Sequence, residues 1–492
     1  VETAIEMQSW PIYPRVKFGT FHEFFHEAEA VRDKLPVVEG ELNFIFQGCY
    51  TTQSRIKLAN RSTERALLSA ENLSALAAVK TGFPSNAEKL ERAWRDVLFT
   101  HFHDILTGSC VQDTREHAMG LYSNSLAVAQ TQLTRAMEAI SSKVDTSNII
   151  VDGEYEKSQS EGAGAGYGVE NFSGFPRAER GSGRTRIFTV FNPTAVEKCE
   201  PVEITVWDWP GDMRRVKISD SDGNPLEFQL IDHRQQEYWS HKYFRVLVNV
   251  NVKPLGYTTV VLREGELEGD YPVYFQPDHR TQEGPTNYVL ENEYLRAEFC
   301  HLTGRLVSLR DKESGTEYIK PGESAGLCFV DTESATSNAW RIGNYLRVTP
   351  IDRAVRMNYM QSGGLRRGFY AEYKVASSTA RVFVYLDKNS RALSYRTEID
   401  WHEVGGETVP VLIYQLPLAY ETNKFMYDIP GGTIYRPALP FDVPALQFGM
   451  AVRDKGLSAA IVTESKYGYR GYADGRLTAT FINSSTRPDP YP

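Results

Sequence analysis

Apolar residues recur at two different periods along this chain, and the change of period divides it. Up to about Asn148 the spacing is helical, with apolar positions three and four residues apart. One such stripe runs through Phe21, Phe24, Phe25, Ala28, Val31 and Leu35, behind a capping box formed by Thr20 and Glu23. A longer one runs through Ile56, Ala59, Thr63, Ala66, Leu67, Ala70, Leu73 and Ala77 and is closed by Gly82 and Pro84. A third takes in Leu90, Trp94, Val97 and Leu98 behind a Ser85–Glu88 capping box, and helical spacing carries it to His101. A fourth follows Asp113 and Glu116 through Met119, Tyr122, Leu126, Ala129, Leu133, Ala136 and Ile140. Helices starting near Gln53, Asn86 and Thr114, joined by short connections, predict an antiparallel three-helix bundle over 53–148.

Residues 149–186 read as a linker or mobile loop, because GEYEKSQSEGAGAGYG and ERGSGR carry no apolar period. Beyond them the pattern becomes short β-branched and aromatic runs. Arg186 to Phe191, Val202 to Trp207, Arg214 to Ile218, Tyr243 to Val252 and Thr258 to Leu262 fall within 187–265, the span of a small β-sandwich. In 266–492 Leu295, Ala297 and Phe299 alternate, Leu302-Thr303-Gly304 turns the chain, and Leu306 to Leu309 returns as a hairpin. Further runs at Ala380 to Leu386, Leu393 to Trp401, Val409 to Leu416 and Leu457 to Val462 extend this into a large β-sandwich. Strands without alternating helices exclude a doubly wound sheet, so the predicted fold class is α+β multidomain, a helical bundle followed by antiparallel β-sandwich domains.

Chemistry concentrates where two of the predicted helices meet, in Thr100 to Tyr122, THFHDILTGSCVQDTREHAMGLY. Phe102-His103-Asp104 and Thr107-Gly108-Ser109 break the helix there. An imidazole beside a carboxylate at a helix end can hold a metal or a polar ligand; it can equally be a packed His101, a surface His103 and an Asp104 that helps stop the helix. Glu41 and Tyr50, in the irregular stretch GELNFIFQGCYTTQSR, are placed to line a site at the same end of the bundle, or to serve only as loop residues. His22-Glu23-Phe24-Phe25-His26 matches the HExxH pattern of zinc proteases. Its face continues through Glu29 and Asp33, which reads as a solvated surface rather than the floor of a cleft.

Composition narrows the partners. A formal net charge of -9 argues against nonspecific nucleic-acid binding, and no apolar stretch is long enough to span a bilayer. The five cysteines, Cys49, Cys110, Cys199, Cys300 and Cys328, are scattered and odd in number, which suits a reducing cytoplasm better than a disulfide framework. The first residue is Val, so the chain is expected to be an excised or mature piece of a longer one.

HFHDILTGS followed by DTxE resembles the helical-bundle motif of the glycoside hydrolase family 38 alpha-mannosidases. Other stretches resemble the same family in the same order: GELNFIFQGCYTTQSRIKLANR, TVFNPTAVEKCEPVEITVW, VLENEYLRAEF, TGRLVSLRDKESGTE, YDIPGGTIYRP and RPDPYP. The resemblance implies retaining hydrolysis of alpha-mannosides or oligosaccharides by a carboxylate nucleophile and an acid/base carboxyl. It implies a zinc ion held by an upstream His-x-Asp pair, the nucleophilic Asp and the His that matches His103, with Asp104 matching a carboxylate that contacts sugar. The family's acid lies in many members at the segment matching Glu41 to Phe46, where this chain has Glu41, Leu42 and Asn43.

On this resemblance residues 1–52 are the end of a barrel region and a connecting segment, and the sandwich at 266–492 is truncated. The nucleophile is expected in an N-terminal barrel outside this chain, so its catalytic residues are unknown. The chain is then expected to be inactive by itself, with zinc present in the complete enzyme and absent or weakly held here. A noncatalytic carbohydrate-binding or scaffold protein is the alternative, and a homo-oligomer stays open. Trp340, Tyr345 and Tyr435 are candidates to stack on sugar rings or to pack a core.

Overall fold

The computed structural model describes residues 1–11, 15–151, 183–232, 234–238, 241–266 and 286–488. Cα packing separates two compact units, Val1–Ile45 and Phe46–Pro492. Most of the expected linker, and part of the stretch ahead of the second sandwich, lie outside the described residues.

The first unit holds α1 (Glu2–Met7) and α2 (Phe21–Glu29). The capping box forms as its sequence predicts: Glu23 N donates to Thr20 Oγ1 at 3.2 Å, and Thr20 N donates to Glu23 Oε2 at 2.7 Å. The expected burial does not follow. Phe21, Phe24 and Phe25 are 85%, 66% and 64% exposed, α2 has no buried residue, and Val31 and Leu35 fall beyond its end. An amphipathic pattern makes a helix locally favourable, but its stripe is buried only where another element supplies a facing surface. His22 and His26 are likewise exposed, and the carboxylate of Glu23 is engaged as a cap.

In the second unit α3 (Ser54–Thr81), α4 (Ala87–Thr100) and α5 (Gln112–Ser141) form the bundle. Side-chain pairs set their directions. Asn60 and Leu73 of α3 meet Tyr122 and Ala136 of α5, so these helices run together. Trp94 and His101 of α4 meet Glu71 and Asn60 of α3, so α4 runs against them. Ile56, Leu67, Ala70, Leu90, Ala93, Val97, Tyr122 and Ala129 form the core between the three. α3 stops at Gly82, which takes the left-handed conformation (φ 70°) that a residue with a Cβ avoids.

Two expectations for α4 are corrected. Asn86, not Ser85, occupies the N-cap position, and its amide bonds Gln132 of α5 at 3.1 Å rather than capping the helix. Leu98 is exposed, because it sits about 100° around the helix from Val97, the residue that faces the core.

The remainder is antiparallel strand. In the first group, Thr185–Asn192, Gly256–Glu264 and Val216–Ser219 form one sheet. Lys198–Trp207, His241–Val252 and Phe228–Leu230 form the facing one. Ile204, Val206, Phe244, Val246, Val248, Val260 and Leu262 fill the space between them, as period-two alternation requires. In the second group, a six-stranded sheet runs Tyr345–Pro350, Gly326–Glu333, Thr408–Pro417, Arg476–Asn483, Gly468–Gly471, Val443–Pro444. A four-stranded sheet of Ala354–Ser362, Arg366–Val375, Ser378–Asp387 and Leu393–Asp400 belongs to the same group. The hairpin expected from Leu295 to Leu309 is present, with Leu306 opposite Phe299 and Leu295, Ala297 and Phe299 all buried. The two groups are joined by Gln229, whose amide bonds the backbone of Leu365 and Arg366 at 2.8–3.1 Å. All five cysteines are free thiols, and among the described residues no helix is long and apolar enough to cross a membrane.

Candidate functional site

α4 ends at Thr100, and the chain turns tightly through Phe102 to Gly108 before α5 begins. Ile105 N donates to Phe102 O at 2.8 Å and Gly108 N to Ile105 O at 2.9 Å, which folds the segment into successive turns. Buried Ile105 and Ser109 anchor it, 4% exposed each. The side chains just ahead of Ile105 point outward. His103 is 79% exposed and Asp104 48%, with His103 Nε2 3.7 Å from Asp104 Oδ2. Ser109 Oγ lies 3.4 Å from the other carboxylate oxygen of Asp104 and 2.8 Å from Thr107 Oγ1, with one proton to give to either. Thr107 Oγ1 also donates to His103 O at 2.5 Å, closing the turn on itself. The corner therefore presents one imidazole and one carboxylate on a braced loop.

His101 is a different kind of residue. Its Nε2 lies 2.8 Å from Asn60 Oδ1 and 3.3 Å from Glu64 Oε1. Both partners are oxygens, and the amide orientation and tautomer assigned from this network make that nitrogen the donor. Tyr122 OH reaches the same Asn60 oxygen at 3.4 Å, and Arg61 Nη1 holds Glu64 at 2.6 Å. Burial alone would raise the Glu64 carboxyl; the hydrogen bond from His101, the Arg61 charge and the Asn60 amide outweigh it and hold the group below the usual carboxylate range. His101 thus belongs to a polar network between α3, α4 and α5.

Tyr50 ends the single turn Gln47–Tyr50, at the start of a strap that leads into α3, and is half-buried. The strap is tied to the second sandwich: Gly48 N donates to Trp340 O at 2.9 Å and Thr52 Oγ1 to Ala339 O at 3.1 Å, both in a turn between two strands, and Asn483 Nδ2 of a sheet strand donates to the Thr51 and Thr52 hydroxyls at 3.3 and 3.2 Å. Glu41 lies in the first unit, Val1–Ile45, and is half-exposed there. The structure brings His103 and Asp104 together directly. Of the candidate stacking aromatics, Tyr345 lies under the Arg470 guanidinium at 4.0 Å, while Tyr435 is 55% exposed, with Lys424 Nζ 4.4 Å from its ring centre.

Lys57 is the site residue that sequence reasoning passed over. It is 1% exposed, and its Nζ donates to Thr52 O at 2.6 Å, Leu106 O at 3.0 Å and Thr107 O at 3.2 Å. Burial pushes the amine down from 10.5 to about 7. The signal for it was present: Lys57 sits one residue after Ile56, the first residue of the α3 stripe, and three before Asn60, on the side that turns inward.

A zinc site needs three or four protein ligands. The corner offers one nitrogen from His103 and one carboxylate, and no group of three or more His, Cys, Asp or Glu that could hold a metal occurs among the described residues. The described residues do not make up a complete zinc shell.

A sequence profile described as Glycosyl hydrolases family 38 C-terminal domain matches residues 290–491, and one described as Alpha mannosidase middle domain matches 45–140. Along 97% of its length the chain is 25% identical to Alpha-mannosidase 2C1 of Homo sapiens and covers 39% of that protein. It is 22% identical to Alpha-mannosidase G of Dictyostelium discoideum, again along 97% of its length, and covers 42% of it. The chain thus spans about two fifths of the length of these relatives. The crystal structure of an alpha-mannosidase from Enterococcus faecalis V583 shares the fold, with a TM-score of 0.73 at 18% identity over 98% of this chain and 57% of that one. The bundle with its His103-Asp104 corner falls in the first profile match along the chain and the last sheets in the second, and the chain belongs to glycosyl hydrolase family 38, carrying its middle and C-terminal domains.

Proposed function

We propose that this chain is the bundle and sandwich portion of a retaining alpha-mannosidase, and that its corner contributes His103 and Asp104 to the sugar site. The observation that carries the reading is the braced, outward-facing pair in the family's middle domain. A carboxylate accepts hydrogen bonds from hydroxyl groups and so orients a sugar ring, and the Asp104 carboxylate is half-exposed for that task. Retaining hydrolysis further needs two carboxyl groups about 5–5.5 Å apart across the anomeric carbon, and neither role is given to Asp104 in this reading. Neither the nucleophile nor the acid/base is assigned to a described residue of this chain. His103 is the residue that would face a metal, as one ligand of a shell completed elsewhere.

By itself the chain is therefore expected not to turn over an aryl alpha-mannoside. Joined to the sequence upstream of Val1 in its gene, it is expected to do so. In that longer protein Asp104→Asn should lower turnover at least tenfold, and His103→Ala should lower both bound zinc and turnover. Full activity in Asp104→Asn and His103→Ala would overturn the assignment. Mannoside binding without turnover in the longer protein would favour the noncatalytic carbohydrate-binding reading.

A further inference from the structure

A lysine amine taken out of water loses its hydration, and an apolar side chain of similar length would fill the same space without that cost. Lys57 is nevertheless buried, and its hydrogen bonds go to main-chain carbonyls: Thr52 O at the end of the strap, and Leu106 O and Thr107 O in the loop just behind His103 and Asp104. The two backbones approach closely because Gly108 allows it. Its φ is +75°, and a Cβ there would lie 2.5 Å from Thr52 O and 2.6 Å from Gln53 Cβ. Two runs of carbonyl oxygen crowded together repel each other, and a shared donor between them removes that repulsion. On its far side the strap is bonded to Ala339 and Trp340, in the turn between Gly326–Glu333 and Tyr345–Pro350, and to Asn483 at the end of a sheet strand. The half-buried thiol of Cys49, the buried thiol of Cys110 and the side-chain amine of Lys466 are the titratable neighbours of the amine.

We propose that Lys57 is the positioning residue of the corner: by holding the carbonyls of Thr52, Leu106 and Thr107 together, it locks the loop that carries His103 and Asp104 onto the strap that carries Tyr50. The consequence for turnover rests on the mannosidase reading, whereas the clamp itself does not. Through it the placement of the corner depends on the turn joining two strands of the six-stranded sheet, more than 280 residues further along the chain, since Thr52 bonds both the clamp and Ala339 (a separation of 287 residues).

Hydrogen exchange on the 492-residue chain tests the clamp directly. In Lys57→Met the amides of Ile105 and Gly108 should exchange at least tenfold faster, while those of Leu67 to Ala77 in the bundle core keep their protection. Lys57→Gln, which retains two donors, should fall between and serves in place of Lys57→Met where the latter does not fold. Propylammonium should restore protection to Lys57→Ala by occupying the vacated space. Unchanged exchange in the loop, or equal acceleration throughout the bundle, overturns the proposal. In the chain joined to its upstream sequence, Lys57→Met should lower kcat for an aryl alpha-mannoside at least tenfold with a smaller change in KM, and propylammonium should rescue Lys57→Ala. Equal kcat in wild type and Lys57→Met overturns the positioning role. Loss of loop protection in the variant, with no turnover in the wild type, upholds the clamp and refutes the mannosidase reading instead.

Discussion

Asp442 is fully buried and accepts Arg470 Nε and Nη2 at 3.0 Å and Thr480 Oγ1 at 2.6 Å. These residues join the Val443–Pro444, Gly468–Gly471 and Arg476–Asn483 part of the six-stranded sheet, next to the strap: a Cβ on Gly468 would lie 2.5 Å from Thr51 Cγ2 and 3.1 Å from Asp442 Oδ2. Burial by itself would lower the Arg470 guanidinium, but the Asp442 charge, with Tyr345 and Tyr472, outweighs it and holds the group above its ordinary value. In Asp442→Ala the guanidinium, 8% exposed, keeps its place over Tyr345 but has lost its counter-charge. Breaking a buried pair from one side costs about 3–5 kcal/mol, and at roughly 2–4 °C per kcal/mol for a domain of this size the transition falls by roughly 6–20 °C. Removing both members, in Asp442→Ala with Arg470→Met, should recover part of that loss, because no uncompensated charge is left inside. Glu398→Ala is the control. Its pair with Arg396 is 38% and 64% exposed and should contribute less than about 1 kcal/mol. Scanning calorimetry of the three variants, which resolves separate transitions in a long chain, is the assay. A loss below about 1 kcal/mol in Asp442→Ala, or a double variant no more stable than the single one, would refute the account of a charge that needs its partner.

Three further outcomes are expected. The Lys57 amine is depressed from 10.5 to about 7, so between those values the unfolded chain binds more protons; stability should rise with pH across that window, by up to about 1.4 kcal/mol per unit. Lys57→Met should remove this slope, and parallel urea-unfolding profiles for wild type and variant from pH 7 to 10 would contradict it. His101→Ala should cost roughly 1–3 kcal/mol by stranding Asn60 and Glu64, whereas His103→Ala, at an exposed position, should stay within about 0.5 kcal/mol; equal losses in urea unfolding would remove the distinction between the two histidines. Gly108→Ala should cost more than about 2 kcal/mol and speed amide exchange at the corner, since it combines a positive φ with a clash against Thr52 O, and a variant that melts with wild type would show that the two backbones can separate freely.

Much of the fold was legible from spacing alone. The stripes of α3 and α5, the stop at Gly82 and the alternation of Leu295, Ala297 and Phe299 are consequences of period, and period is a property of a few consecutive residues. The corner could be located the same way, as a helix break carrying His103 and Asp104. Local pattern does not say what will lie opposite a face. The capping box of α2 formed, yet Phe21, Phe24 and Phe25 stayed exposed. Asn86 took the N-cap position of α4 and gave its amide to Gln132 of another helix.

The site divides along the same line. The sequence by itself determined which residue types stand at the break between α4 and α5, because helix propensity, the Gly108 turn and the His-Asp pair are written within ten residues. Only the tertiary structure decided that His101 turns into the bundle toward Asn60 and Glu64 while His103 turns out, and that a lysine near the start of α3 reaches the loop fifty residues later. The physical reason is that a polar side chain in an apolar stripe has no local partner: its burial becomes tolerable only when carbonyls, amides or carboxylates from distant parts of the chain converge on it.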